Sequence, residues 1–263
     1  MSIVNINELA QLIMEVAREE ILPRFNHVVE QDKADGSVVT EADLETQRRL
    51  MQGLTTLAPE IPLLGEEMTP EEQSNLLHGS DYLWCLDPLD GTSNFASGVP
   101  FFCTSLALLH HGQAVLSVLY DPVKDECFSA QKGQGAQLNG RVMKLTSDVT
   151  ELGKAIAVVD LKRLTPELAT RVAVEQPFRS QRNFGSGALD WAWLAAGRFQ
   201  LYLHGGQKLW DYMGGSLILS EAGGIATTLE NEDVACQELI PRSVVAATDT
   251  HLHQIWLDWT GQA

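Results

Sequence analysis

Trp84-Cys85-Leu86-Asp87-Pro88-Leu89-Asp90-Gly91-Thr92-Ser93-Asn94-Phe95, WCLDPLDGTSNF, sets two carboxylates three residues apart at the end of a short apolar run. The run before Asp87 reads as a strand, and strand ends in layered α/β folds open onto clefts. Pro88 fixes one backbone dihedral and Gly91 permits a tight turn, so both carboxylates and the Leu89 carbonyl can be held on one side. Oxygen ligands this dense suit a hard divalent cation such as Mg²⁺. Thr92 and Ser93 add hydroxyls and N–H groups that would cradle a phosphate if they open a helix. The same string is equally good turn and helix-cap chemistry, so its neighbours must decide.

Working outward, IPLL before Gly65, YLWCL before Asp87, FFCTSLALL, QAVLSVLY and ECFSA read as strands, followed by AIAVV (155–159), FQLYL (199–203), GIATT (224–228) and SVVAA (243–247). Helical periodicity begins after the cap Asn5-Ile6-Asn7-Glu8, with Leu9, Leu12, Ile13, Val16, Ala17 and Ile21 on one face up to Pro23. A second helix starts at the N-cap Thr40 and carries Leu50, Leu54 and Leu57. Further helices are expected at 166–175, 186–197, 210–222 and 249–259. This order of elements predicts layered α/β or α+β packing. The least structured junction is Thr146 to Gly153, so a single domain over 1–263 is expected, with lobes 1–148 and 149–263.

Two other segments end or begin elements on acids. Gly65-Glu66-Glu67 closes one short strand, and Trp210-Asp211 opens a helix ending in Glu221-Ala222-Gly223-Gly224. The ordered set DPLDGTSNF (87–95), GQGAQLNG (133–140) and WDYMGGSLILSEAGG (210–224), with GEE at 65–67 and Thr40-x-x-Asp43, resembles the inositol monophosphatase family of the fructose-1,6-bisphosphatase-like sugar phosphatases.

That resemblance implies an α+β fold, a layered αβαβα sandwich, and a Mg²⁺-dependent, lithium-sensitive phosphomonoesterase that is usually a homodimer. It assigns Glu66, Asp87, the Leu89 carbonyl, Asp90 and Asp211 as ligands of two or three Mg²⁺ ions, for which Mn²⁺ could substitute. Glu66 and Thr92 would orient and deprotonate the attacking water, and Asp43 would hydrogen-bond Thr92. The backbone of Gly91, Thr92 and Ser93 would hold the phosphate. Asp211 also borders the substrate, and Lys33 matches a lysine near the mobile metal-binding loop. Inositol-specific members carry a glutamate seven residues before the WD aspartate; here that position is His204, which can still hydrogen-bond a polyol but serves poorly as a counter-ion for a substrate amine. The expected substrate is a small phosphorylated polyol or sugar such as an inositol monophosphate. Fructose 1,6-bisphosphate, histidinol phosphate and a nucleotide 3′-phosphate or NADP are alternatives, and a non-catalytic regulatory homologue is a further one.

Composition narrows the partners. The 263 residues include 18 basic and 35 acidic ones, a formal net charge of −17 that repels nucleic acid and anionic membranes. A phosphorylated metabolite must then be gripped locally, by bound cations or backbone N–H groups. Apolar runs fall short of a membrane span, and a cytoplasmic location is the default. Cys85, Cys103, Cys127 and Cys236 show no CxxC pairing and read as buried free thiols. Trp191, Trp193, Trp256 and Trp259 read as packing anchors, and His251 and His253 as solvated or capping residues.

Overall fold

The computed structural model describes residues 4–25, 30–32, 38–236 and 238–261; Lys33 lies outside these. In chain order the elements are α1 (Ile6–Glu20), β1 (Glu30–Asp32), β2 (Val38–Thr40), α2 (Glu41–Leu57), β3 (Leu63–Gly65), α3 (Pro70–Gly79), β4 (Tyr82–Asp90) and α4 (Thr92–Ala96). Strands β5 (Cys103–His110), β6 (Gln113–Asp121), β7 (Glu126–Gln131), β8 (Gly135–Leu138) and β9 (Arg141–Met143) follow, then β10 (Ile156–Asp160), α5 (Pro166–Glu175), β11 (Ser180–Arg182) and α6 (Gly187–Ala195). The chain closes with β12 (Leu201–Gln207), α7 (Leu209–Ala222), β13 (Ile225–Thr227), β14 (Arg242–Ala247) and α8 (Thr250–Thr260).

Alternation along the strands sorts the side chains into layers. Trp84 and Leu86 of β4 meet Leu9 and Ile13 of α1 and Leu50 and Leu54 of α2. Leu83 and Cys85, pointing the other way, join a middle core built on Trp191 of α6 and Tyr212 and Ile218 of α7. Tyr202 of β12 closes that core from the second sheet, while Leu201 and Leu203 point outward to α5 and α8 through Val172 and Trp256. A seven-stranded sheet in the order β3-β4-β5-β6-β7-β8-β9 and a five-stranded sheet in the order β11-β10-β12-β14-β13 therefore sandwich α6 and α7. The fold is an α+β sandwich of five layers, αβαβα, as the resemblance implies. Among the described residues no helix is long and apolar enough to cross a membrane.

Small residues bring the layers together where the site forms. A Cβ on Gly214 would lie 2.8 Å from Leu119 Cδ1, and one on Gly215 only 2.2 Å from Trp191 Cβ. The Gly-Gly pair thus lets α7 sit tight against both β6 and α6, which fixes where Asp211 emerges. At the other end of α7, Glu221 accepts hydrogen bonds from the N–H groups of Gly133 (2.7 Å) and Gly135 (2.8 Å), so the GQG turn clasps the helix.

All four cysteines are free, Cys85, Cys103 and Cys127 buried and Cys236 half-buried. His253 corrects the expectation of a solvated or capping role. It is buried, with Nε2 3.1 Å from Thr227 Oγ1 and 3.2 Å from the Val245 carbonyl, while the Asp249 side chain caps α8 by accepting from Leu252 N–H. Burial lowers the pKa of His253.

Candidate active site

Asp87 and Asp90 stand three apart, and on a regular strand they would face opposite sides. The ladder between β4 and β5 breaks there: Asp87 is opposite Ser105 and Asp90 opposite Cys103, three residue steps against two. This bulge turns both carboxylates toward the middle layer and accommodates Pro88, which lacks a ladder donor. The Pro88 carbonyl is taken up by Thr104 Oγ1 at 2.9 Å. Glu66 arrives alongside because β3 runs parallel to β4 with Gly65 opposite Leu86, and its N–H donates to the Leu86 carbonyl at 3.1 Å.

Asp211 comes from the start of α7, where its Oδ2 accepts from Lys208 N–H at 2.9 Å. An oxygen from each of Asp87, Asp90 and Asp211 lies within 4.8 Å of the others. They line a cleft of about 410 Å³ together with Glu66, Leu89, Gly91, Thr92 and Ser93. Gly91 holds the left-handed conformation (φ 95°) that turns the chain from β4 into α4. Asp43 sits behind. Its Oδ1 is 3.0 Å from Thr92 Oγ1, and its Oδ2 accepts from the Thr40 N–H (2.8 Å) and hydroxyl (2.6 Å), closing a capping box on α2.

Burial and mutual repulsion govern the charges. Asp87 is held well above the ordinary carboxylate range, first by burial and then by Glu66, Asp90 and Asp211. Burial and then Asp90 and Glu66 push Asp211 up to about 8. Asp90 is raised by burial, against the opposing hydrogen bonds of Ser186, Ala188, Leu189 and Gly187. Burial lifts Asp43 to about 6, opposed by Thr40 and Thr92. Carboxylates that burial drives toward protonation are satisfied equally well by a cation in place of the proton. A dense all-oxygen donor set fits a hard ion, so these residues could hold Mg²⁺.

His204 departs from its expected place against the substrate. It is 8% exposed and lies outside the cleft lining, with Nε2 3.2 Å from Asp160 Oδ2 and Nδ1 accepting from Gly206 N–H at 3.1 Å. Its neighbour in register on β10 is Asp160 itself, so the side chain is spent on that carboxylate. The His204 bond is the first cause of Asp160's lowered pKa.

Other participants escaped the sequence reading. Ser186 Oγ, Gly187 N–H (3.2 Å) and Ala188 N–H (2.7 Å) all donate to Asp90, so the first turn of α6 grips that carboxylate. Ser-Gly ahead of an apolar run is a legible N-cap, but its partner is almost a hundred residues away. Lys162, Arg163 and Lys208 also line the cleft, and no local pattern marks them.

Five layers with an acidic cleft between two sheets define the sugar-phosphatase type of architecture that the sequence resembles. The profile of the inositol monophosphatase family matches residues 2–258, and the chain belongs to that family. It is 35% identical to inositol monophosphatase 1 of Solanum lycopersicum, covering 88% of this chain and 85% of that one. It is 31% identical to the Nus factor SuhB of Xylella fastidiosa, over 79% of this chain and 74% of the relative. The solved IMPase of Thermotoga maritima superposes with a TM-score of 0.83 at 27% identity, over 96% of this chain and 95% of the other.

Proposed function

We propose that this protein hydrolyses phosphomonoesters of a small polyol or sugar in a Mg²⁺-dependent reaction. The observation that carries the reading is the convergence of Asp87, Asp90 and Asp211 oxygens within 4.8 Å in a cleft lined also by Glu66 and Thr92. Those three carboxylates, Glu66 and the Leu89 carbonyl would hold Mg²⁺, which when bound supplies a Lewis acid that acidifies water and offsets phosphoryl charge.

The chain's own groups do the rest. Thr92 has one hydroxyl proton and two acceptors, Asp43 Oδ1 at 3.0 Å and the Leu89 carbonyl at 2.9 Å. With its proton so committed, Thr92 Oγ1 is left to accept from the attacking water and aim it. With a pKa of about 6, Asp43 is mostly ionised at neutral pH and able to keep that acceptor role. Glu66 takes the water's proton. The new P–O bond forms as the ester P–O bond breaks in line, and the departing alkoxide is protonated by solvent, giving an alcohol and inorganic phosphate. Gly91, Thr92 and Ser93 line the cleft, and their N–H groups would hold the phosphoryl oxygens.

Phosphate release from inositol 1-phosphate or p-nitrophenyl phosphate should stop with EDTA and return with Mg²⁺. Undiminished release after exhaustive chelation would refute the mechanism. Curated relatives include both an inositol monophosphatase and a Nus factor, and the intact acidic cluster together with a charge of −17 favours hydrolysis over contact with RNA. A homodimer is the assembly proposed from the family resemblance, and light scattering at twice the chain mass would support it.

A further inference from the structure

A buried amide stands behind the acid cluster. Gln207 ends β12, is 1% exposed and lies outside the cleft lining, in the middle core built on Trp191, Tyr202, Tyr212 and Ile218. Burying an amide in such surroundings is costly unless its hydrogen bonds are made. Here they are made. Trp191 Nε1–H of α6 donates to Gln207 Oε1 at 2.8 Å, and Gln207 Nε2–H donates to Tyr202 Oη of β12 at 2.8 Å. An indole N–H can only donate, so it decides which end of the amide faces α6 and leaves Nε2 for β12. The side chain therefore has one orientation, where nothing would orient a leucine of similar volume.

That orientation sets Nε2 against the two structures that hold the acids. A Cβ on Gly187 would fall 2.6 Å from Gln207 Nε2 and 3.6 Å from Asp211 Cβ, so the first turn of α6, the amide and the start of α7 meet at one point. On one side of it, Ser186 Oγ and the N–H groups of Gly187 and Ala188 grip Asp90. On the other, Gln207 is followed directly by Lys208, the N-cap of α7, whose N–H donates to Asp211 Oδ2 at 2.9 Å. Asp90 and Asp211 come from different layers, and the amide is a packed group that lies between their supports.

We infer that Gln207 is a positioning residue of the metal site: it holds the supports of Asp90 and Asp211 at the separation that a small octahedral ion requires, and so raises the preference for Mg²⁺ over Ca²⁺. This rests on the metal-dependent reading above and adds to it a residue that touches neither metal nor substrate. Mg²⁺ demands near-ideal octahedral geometry with short bonds, whereas Ca²⁺ accepts longer and looser coordination. A cluster whose acids can drift apart therefore loses Mg²⁺ first. Groups that orient metal ligands from behind typically contribute about 10- to 100-fold to metal affinity.

Mg²⁺ and Ca²⁺ titrated calorimetrically into the metal-free protein test this. Gln207→Leu keeps the volume and removes both hydrogen bonds. Its Mg²⁺ affinity should fall about 10-fold or more and its Ca²⁺ affinity by clearly less, so that the ratio of Mg²⁺ to Ca²⁺ affinity drops. Trp191→Phe and Tyr202→Phe each take one polar partner from the amide while keeping an aromatic ring. They should lower the ratio in the same direction by less, and they carry the test if Gln207→Leu does not fold. Leu257→Ala, a truncation in the outer core of α8, should lower Tm yet leave the ratio at its wild-type value. A purely structural role would show all four variants melting earlier with the ratio unmoved. That result overturns the inference, as does an equal loss of both ions, or a ratio that Leu257→Ala shifts as far as Gln207→Leu does. Wild type that binds neither ion sinks the metal-dependent reading and the inference with it, whereas Mg²⁺ binding by wild type with an unmoved ratio in the variants sinks the inference alone.

Discussion

Strand β4 between Asp87 and Asp90 and strand β12 between His204 and Gln207 both set three residue steps against two on the neighbouring strand. The first bulge, around Pro88-Leu89, gathers carboxylates. The second, around Gly205-Gly206, gathers nothing of its own. It makes room for the backbone of Arg163 and holds Asp160 through His204. One interruption presents charge directly, and the other presents it through a second chain segment. A β-bulge is therefore a tool for re-aiming, and what it aims depends on the neighbouring layer.

The sharpest way to break the contrast is to remove charge from the first bulge. Asp90→Asn keeps the shape that Ser186, Gly187 and Ala188 grip but loses an anionic ligand. Turnover should fall on the order of 100-fold or more with the circular dichroism unchanged, and near-normal rates at saturating Mg²⁺ would remove Asp90 from the site.

Next in size is the response of the whole cluster to metal. Asp211, at about 8, and Asp87, well above the usual range, bind protons more tightly folded than unfolded. In metal-free protein a raised carboxylate pKa makes its contribution to stability fullest at low pH, and that contribution is lost as pH rises through the folded value. Mg²⁺ competes with those protons, so its increment in Tm should be larger at pH 8 than at pH 6. The corresponding gain in stability should reach about 2.7 kcal/mol at 100 times the dissociation constant. An increment independent of pH would show that these acids do not bind the ion.

Attacking the second bulge should cost less. Gly205→Ala forces the Leu161–Arg163 turn off β12, for roughly 1–3 kcal/mol of stability, seen as a lower Tm and a lower urea midpoint. An unaltered melt would mean the turn is not pinned there. Smallest is His204→Ala, which removes the partner of Asp160 and the acceptor of Gly206 N–H, at about 1 kcal/mol for a lost hydrogen bond. If the Tm stays put but kcat/KM on an inositol phosphate drops, His204 touches substrate after all and the two bulges are more alike than the structure indicates.

The elements whose signals are local were readable. The first two helices, the N-cap Thr40 and the strands IPLL through SVVAA follow from periodicity and caps. Helix α3 is absent from the strand-and-helix pattern above although its capping box, Thr69 with Glu72 and with Pro70 at the first helical position, is a local signal. Strands β8 and β9 are short, and their hairpin announces itself only in Asn139-Gly140, both at positive φ. Strand β11, Ser180–Arg182, carries no apolar alternation and exists because β10 offers it a parallel edge.

By itself the sequence determined the layered class, because residue type, spacing and period act within a few positions of each other, and the motifs that carry the family resemblance singled out the acids found in the cleft. Only the tertiary structure decided that Asp87 and Asp90 share a face, since a register break is a property of two strands. It likewise decided that α6 grips Asp90, that His204 turns to Asp160, and that Lys162 and Arg163 stand over the cleft. Each of these joins groups from different layers. Their proximity is set by how strands pair and helices pack across the chain, and no local pattern of residues encodes it.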